Sequence, residues 1–215
     1  MAWIEQYRLP DKAFGELVRS SHVGFDVQAY KYGYENNPEY GSIVVVNCGD
    51  FLAVGVIIGS EMTPAPGLAA MPTPMKATRE QVQERYPDLE GRLLDIYEAV
   101  YVGYYSNGFF RLSRPGRKPL IHDLAYIPSN DFIKDLHKVS DGYTLDYFPL
   151  ILHALEPNEL EPFADVYFSF LAGRFEVDER VQLYESLSAS LAKWGDEARI
   201  TEVINLAKRC LMEGV

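Results

Sequence analysis

The stretch Tyr40-Gly41-Ser42-Ile43-Val44-Val45-Val46, followed by Phe51-Leu52-Ala53-Val54-Gly55-Val56-Ile57-Ile58-Gly59, decides the fold. Two β-branched apolar runs flank Asn47-Cys48-Gly49-Asp50, a tight-turn sequence, so the pair reads as a β-hairpin. Gly41 precedes the first run and Gly55 interrupts the second. A residue without Cβ permits sharp bending and close approach of backbone, which a small, strongly curved sheet requires.

Working outward, Val23 to Tyr30 alternates loosely and reads as a strand. Ile96 to Tyr105 is rich in Val and Tyr and ends at Ser106-Asn107-Gly108, a strong turn signal. Phe109 to Leu112 forms the return strand, and Leu120 to Ile127 gives one more. Thr78 and Gln81 have the spacing of a capping box for a short helix that stops by Pro87. On the N-terminal side, Pro10 or Asp11 opens a short helix whose face carries Ala13, Phe14, Leu17 and Val18. The segment 63–75 holds Pro64, Pro66, Pro72 and Pro74. It reads as an extended surface arm whose Leu68, Met71 and Met75 suit partner docking, or as a loop folded back on the barrel.

Beyond the strands, Ser129-Asn130 caps a helix through Phe132, Ile133, Leu136 and His137. After Gly142 the pattern becomes helical. Leu160, Phe163, Val166, Tyr167, Phe170 and Leu171 recur at helical spacing, as do Val181, Leu183, Tyr184, Leu187 and Leu191, and then Ile200, Val203, Ile204, Ala207 and Leu211. The expected fold class is α+β: a small closed β-barrel and a C-terminal helical region of about three helices. The expected divisions are a lead-in over 1–21, the barrel over 22–141, and the helical region over 142–215. Short loops make the helices neighbours, either on the barrel, in a separate lobe, or against another subunit.

Composition bounds function. The net charge is −11, and residues 151–215 carry twelve acids against six bases. This balance disfavours direct nucleic-acid binding, which needs Lys and Arg to displace counterions. No apolar run reaches membrane-span length, and the N-terminus carries no basic, apolar signal, so a cytoplasmic protein is expected. Cys48 and Cys210 are the only cysteines and form no metal-ligand pattern.

The sequence offers no catalytic, cofactor-binding or metal site residues by motif, and no cofactor is expected. Neither GxSxG, GxxxxGK[ST] nor HExxH occurs. The histidines lie apart at 22, 122, 137 and 153. His122-Asp123 is an adjacent acid/base pair, but neighbours on a strand face opposite ways. Glu176, Asp178 and Glu179 resemble a metal cluster and equally suit a helix N-terminus. Arg111, Arg114, Arg117 and Lys118 form the only local excess of positive charge. It suits a phosphate backbone, an acidic partner, or a solvated loop.

The order of these features over residues 22–138 resembles the HAS-barrel family, the N-terminal barrel of HerA-type DNA-translocating ATPases. The matching stretches are His22-Val23-Gly24-Phe25, Tyr40 to Val46, Leu52 to Ile57, Ala99 to Tyr104, Pro119 to Pro128, and Asp131 to Leu136. That resemblance implies an assembly module: in the family, the barrel mediates subunit contacts and docks a NurA-type nuclease. The family's P-loop ATPase domain has no counterpart among these residues, so no ATPase residue carries over. The leading expectation is a non-enzymatic docking protein for a partner, a HerA-like ATPase or NurA-like nuclease. The alternatives are a carboxylate-based, metal-dependent hydrolase or nuclease, and a small-ligand barrel lined by tyrosines.

Overall fold

The structure is a computed structural model, described over residues 5–30, 37–65, 76–85, 87, 93–140, 142–193 and 197–213. Seven strands make the main sheet: β1 (Gly15–Ser20), β2 (Gly24–Ala29), β3 (Ile43–Asn47), β4 (Leu52–Pro64), β5 (Leu93–Ser106), β6 (Phe109–Arg111) and β7 (Leu124–Tyr126). The spatial order is β2-β1-β7-β3-β4-β5, and β2 returns to pair with β5, from Gly24 opposite Val100 to Gln28 opposite Ile96. Six antiparallel strands therefore close a barrel, and β6 extends the β5 edge beyond the end of β2. Closure removes the free edges that an open sheet would present.

The decisive hairpin forms as its sequence predicts. Ile43 pairs with Val56 and Asn47 with Leu52. In the turn, Gly49 has φ +83°, and its N–H donates to the Asn47 side chain at 2.9 Å. Gly55 sits at a register shift and faces the interior. A Cβ there would lie 2.7 Å from the Phe25 ring and 3.2 Å from Ala99. The glycine is what lets the aromatic ring cross the barrel.

Alternation then sorts two cores. Val44 and Val46 point inward with Leu17, Phe25, Ala53, Ile57 and Tyr101, and these buried side chains fill the interior. Ile43 and Val45 point outward, with Val54, Val56, Val100 and Val102, into a second core shared with the helices. Both faces of the central strands are covered, which explains why β3 reads as an unbroken valine run.

The helices are α1 (Arg79–Arg85), α2 (Asn130–His137), α3 (Phe148–Leu152), α4 (Leu160–Ala172), α5 (Val177–Leu191) and α6 (Glu197–Ala207), the last continued by a π-helical turn over Lys208–Met212. A two-stranded ribbon, β8 (Lys138–Val139) with β9 (Gly142–Tyr143), joins α2 to the helical region. Ser129 accepts a hydrogen bond from the Phe132 N–H and caps α2. Thr78 and Gln81 exchange the two bonds of a capping box at α1. The helices pack directly on the barrel: Leu145, Phe148, Ile151, Tyr167 and Leu187 belong to the same buried cluster as the outward valines.

Three expectations change. The helix expected from Pro10 or Asp11 through Val18 is instead a 3₁₀ turn over Pro10–Lys12 followed by strand β1 from Gly15, so a barrel strand precedes His22. Phe14 and Leu17 do share a buried environment, but it is the barrel interior. Sheet pairing overrides the local pattern: Gly15 lies opposite Ala29, where a Cβ would meet the Gln28 carbonyl oxygen at 2.2 Å. The strand expected over Leu120 to Ile127 shrinks to Leu124–Tyr126, with Leu120 and Ile121 in an exposed turn. Thr63 and Pro64, assigned to the Pro-rich arm, end β4. Residues 66–75 of that arm lie outside the described residues.

Candidate functional site

The sequence-nominated groups separate into structural supports and one surface. His122 and Asp123 do not act together. The Asp123 carboxylate accepts from the Leu120 N–H at 2.8 Å. His122 Nδ1 lies 2.8 Å from Glu16, whose other oxygen accepts from the Tyr30 hydroxyl at 2.7 Å. Hydrogen bonds from Tyr30 and then His122 hold the Glu16 carboxyl below its ordinary range. This Tyr–Glu–His cluster joins residues up to 106 positions apart, so no local signal announces it.

Glu176 and Glu179 form the capping box of α5. Burial pushes the Glu179 carboxyl up, but the Lys134 ammonium at 2.8 Å, the Glu176 N–H and the Tyr143 hydroxyl outweigh it and bring it down to about 2. This acid cluster is therefore a brace between α5, α2 and the ribbon. Among the described residues no three His, Cys, Asp or Glu side chains converge as metal ligands. Nor is any helix among them long and apolar enough to cross a membrane.

His137 is fully buried. Its Nδ1 faces the Ile133 carbonyl at 2.6 Å and its Nε2 the Tyr147 hydroxyl at 2.5 Å. A carbonyl only accepts, so Nδ1 carries the proton and Nε2 accepts from Tyr147. The Tyr147 hydroxyl in turn accepts from Tyr167. This chain ties α2 to α3 and α4 through the core, and burial presses the ring's pKa down to about 4. Both cysteines are free. Burial pushes the Cys48 thiol up to about 12 and raises Cys210, the reverse of what a nucleophile needs.

What remains is the barrel end where the β1–β2, β3–β4 and β5–β6 turns meet the 112–123 loop. Arg117 pairs with Asp50 and ties this loop to the β3–β4 turn. A small cleft lined by Asp50, Tyr104, Ser106 and Pro115 lies where these turns abut. Here the chain exposes Phe109 (71%), Leu120 (67%), Ile121 (56%) and Val23 (45%), together with Arg111, Arg114 and Lys118. Several large exposed apolar side chains at one end of a barrel call for explanation, unlike isolated ones.

A second feature is a pair of neighbouring clefts on the barrel wall, the second of which is bounded by α2 and α4. The first, about 790 Å³, is lined by Tyr7, Lys12, Phe14, Tyr30 and Tyr126. The second, about 530 Å³, is lined by Tyr40, Val166, Ser169, Phe170 and Arg174. The two share Asn37 and Ile127 in their linings. Arg174 stacks on Phe170 at 3.6 Å and donates to its carbonyl at 2.8 Å, closing the end of α4.

No family model matches the chain, and no curated protein is significantly similar to it. The closed six-stranded barrel and its helical flank therefore describe it at the level of fold, and the surfaces above carry the functional argument.

Proposed function

We propose that the chain is a non-enzymatic assembly or docking protein that binds a partner protein, in a HerA/NurA-type DNA-processing system. The observation that carries this reading is the barrel end, where the β5–β6 turn and the 112–123 loop present Phe109, Leu120 and Ile121 to solvent. A barrel packed with its own side chains favours work at its surface over binding of a guest inside. The acid and histidine groups that suggested chemistry are spent on caps, braces and the core. The HAS-barrel resemblance over residues 22–138 supplies the identity of the expected partner.

The test is binary mixing of the purified chain with the HerA-type ATPase and the NurA-type nuclease of its own organism, read by size-exclusion light scattering and calorimetry. The expected outcome is a stoichiometric complex with one of them at a Kd of about 10 µM or tighter. No complex with either, with both partners folded and active, refutes the assignment.

A further inference from the structure

We infer that the barrel end built from the three turns and the 112–123 loop is a docking face for an acidic protein segment bearing apolar anchors. This rests on the docking reading above and adds the face used and the chemistry of the partner.

The face is held in advance of binding. Pro115 and Pro119 are buried, anchoring the loop at two points. Leu17 N–H donates to the Asp123 carbonyl at 3.0 Å, and His122 N–H donates to the Leu17 carbonyl at 2.9 Å. Between them His122 takes φ +74°, a conformation that a side-chain-bearing residue rarely adopts. The result is that Leu120 and Ile121 stand outward, fixed by backbone bonds rather than by packing of their own side chains. A surface fixed this way loses little conformational freedom when a partner covers it.

Its charge selects the partner. Among the described residues, Arg111, Arg114 and Lys118 have no carboxylate within ion-pairing distance, whereas Arg117 is matched by Asp50. Of the acids at this end, Asp26 is ion-paired with Arg19 at 2.7 Å and Asp50 with Arg117, while Glu16 is turned to Tyr30 and His122 and Asp123 to the Leu120 N–H. Three cations without an ion-pair partner among the described residues therefore stand on a chain whose net charge is −11. A nucleic-acid backbone is the poorer match. A long polyanion extends past the three cations onto a surface of net negative charge, whereas a short acidic segment stays on them. Among the described residues at this end the exposed aromatics are Phe109 and, beside His122, the half-exposed Tyr30, too few for a stacking platform. Leu120, Ile121 and Val23 instead match aliphatic or aromatic side chains of a protein, with carboxylates on its rim meeting the three cations.

The test places a photoreactive benzophenone amino acid in the full-length chain at Leu120, and separately at Val166 in the cleft bounded by α2 and α4. Each is irradiated in native extract, and the linked peptides are sequenced by mass spectrometry. The expected result is that the Leu120 probe captures protein segments of net negative charge. The yield should fall about tenfold when Arg114→Glu and Lys118→Glu are added, with the circular dichroism spectrum unchanged. Capture of nucleic acid, of a second copy of the chain, or of neutral or basic segments overturns the inference, as does a yield indifferent to charge reversal. Capture from Val166 alone overturns this face while leaving the docking function standing. Capture from neither position removes both.

Discussion

His137 makes the stability of this fold sensitive to mild acid, by an amount that follows from its surroundings. The ring is fully buried, protonated on Nδ1 and accepting from Tyr147 at Nε2. Adding a second proton would set two donors against each other and leave a charge in a core of Tyr147, Tyr167 and Phe175. The folded ring therefore titrates at about 4, against 6.5 in the unfolded chain. Above the unfolded value both states are neutral and His137 adds no pH dependence. Between 6.5 and 4 the unfolded chain binds a proton that the folded chain does not. Stability then falls by about 1.4 kcal/mol for each unit of acidification, reaching a loss of about 3 kcal/mol near pH 4.

The assay is urea unfolding followed by far-ultraviolet circular dichroism between pH 7 and 4.5, for wild type and His137→Gln. Glutamine keeps an acceptor for Tyr147 but has nothing to titrate. It loses the ring contacts with Tyr147 at 5.5 Å and Phe175 at 5.3 Å, so the variant starts roughly 2 kcal/mol less stable at pH 7. The wild-type curve should descend toward the flatter variant curve and meet it near pH 5. A constant gap across the range would refute the neutral, Nδ1-protonated assignment.

Three further outcomes follow from the same packing. Gly55→Ala drives a methyl into the Phe25 ring at 2.7 Å and should cost about 1–3 kcal/mol in urea unfolding; Gly116→Ala, with open space around it, should cost far less. Glu179→Gln removes the charge that braces Lys134, Tyr143 and the α5 cap, lowering stability at neutral pH by about 1 kcal/mol. Because the folded Glu179 carboxyl titrates near 2, below its ordinary 4.5, its contribution is present above 4.5 and lost as pH falls toward 2. The variant should lack that part of the acid transition, read as the midpoint of acid unfolding. Tyr147→Phe strands His137 Nε2 without a donor in the core and should cost about 1–3 kcal/mol, measured the same way.

Much of the fold is legible in the chain because its signals are local. The valine hairpin, the Asn107-Gly108 turn with φ of +52° and +89°, the Ser129 cap and the Thr78–Gln81 box each need only a few neighbouring residues, and each forms. Helical spacing likewise places α4 and α5. What the chain alone misreads is decided by distant partners. Phe14 and Leu17 satisfy a helical stripe as well as an inward strand face, and the ambiguity is resolved only by β2 and β7 lying on either side. Leu120 and Ile121 look like strand interior, yet the Asp123 carboxylate and the Leu17 backbone hold them in an exposed turn. Glu179 and His122 look like chemistry until Lys134 and Glu16, far off in sequence, show them as a brace and a surface pair. Residue type and spacing thus determined that this chain closes a small barrel and packs helices beside it. Which groups are buried, which charges are matched, and which end is left with unmatched cations and bare apolar side chains were decided only by long-range contact, because burial and pairing are properties of the assembled fold.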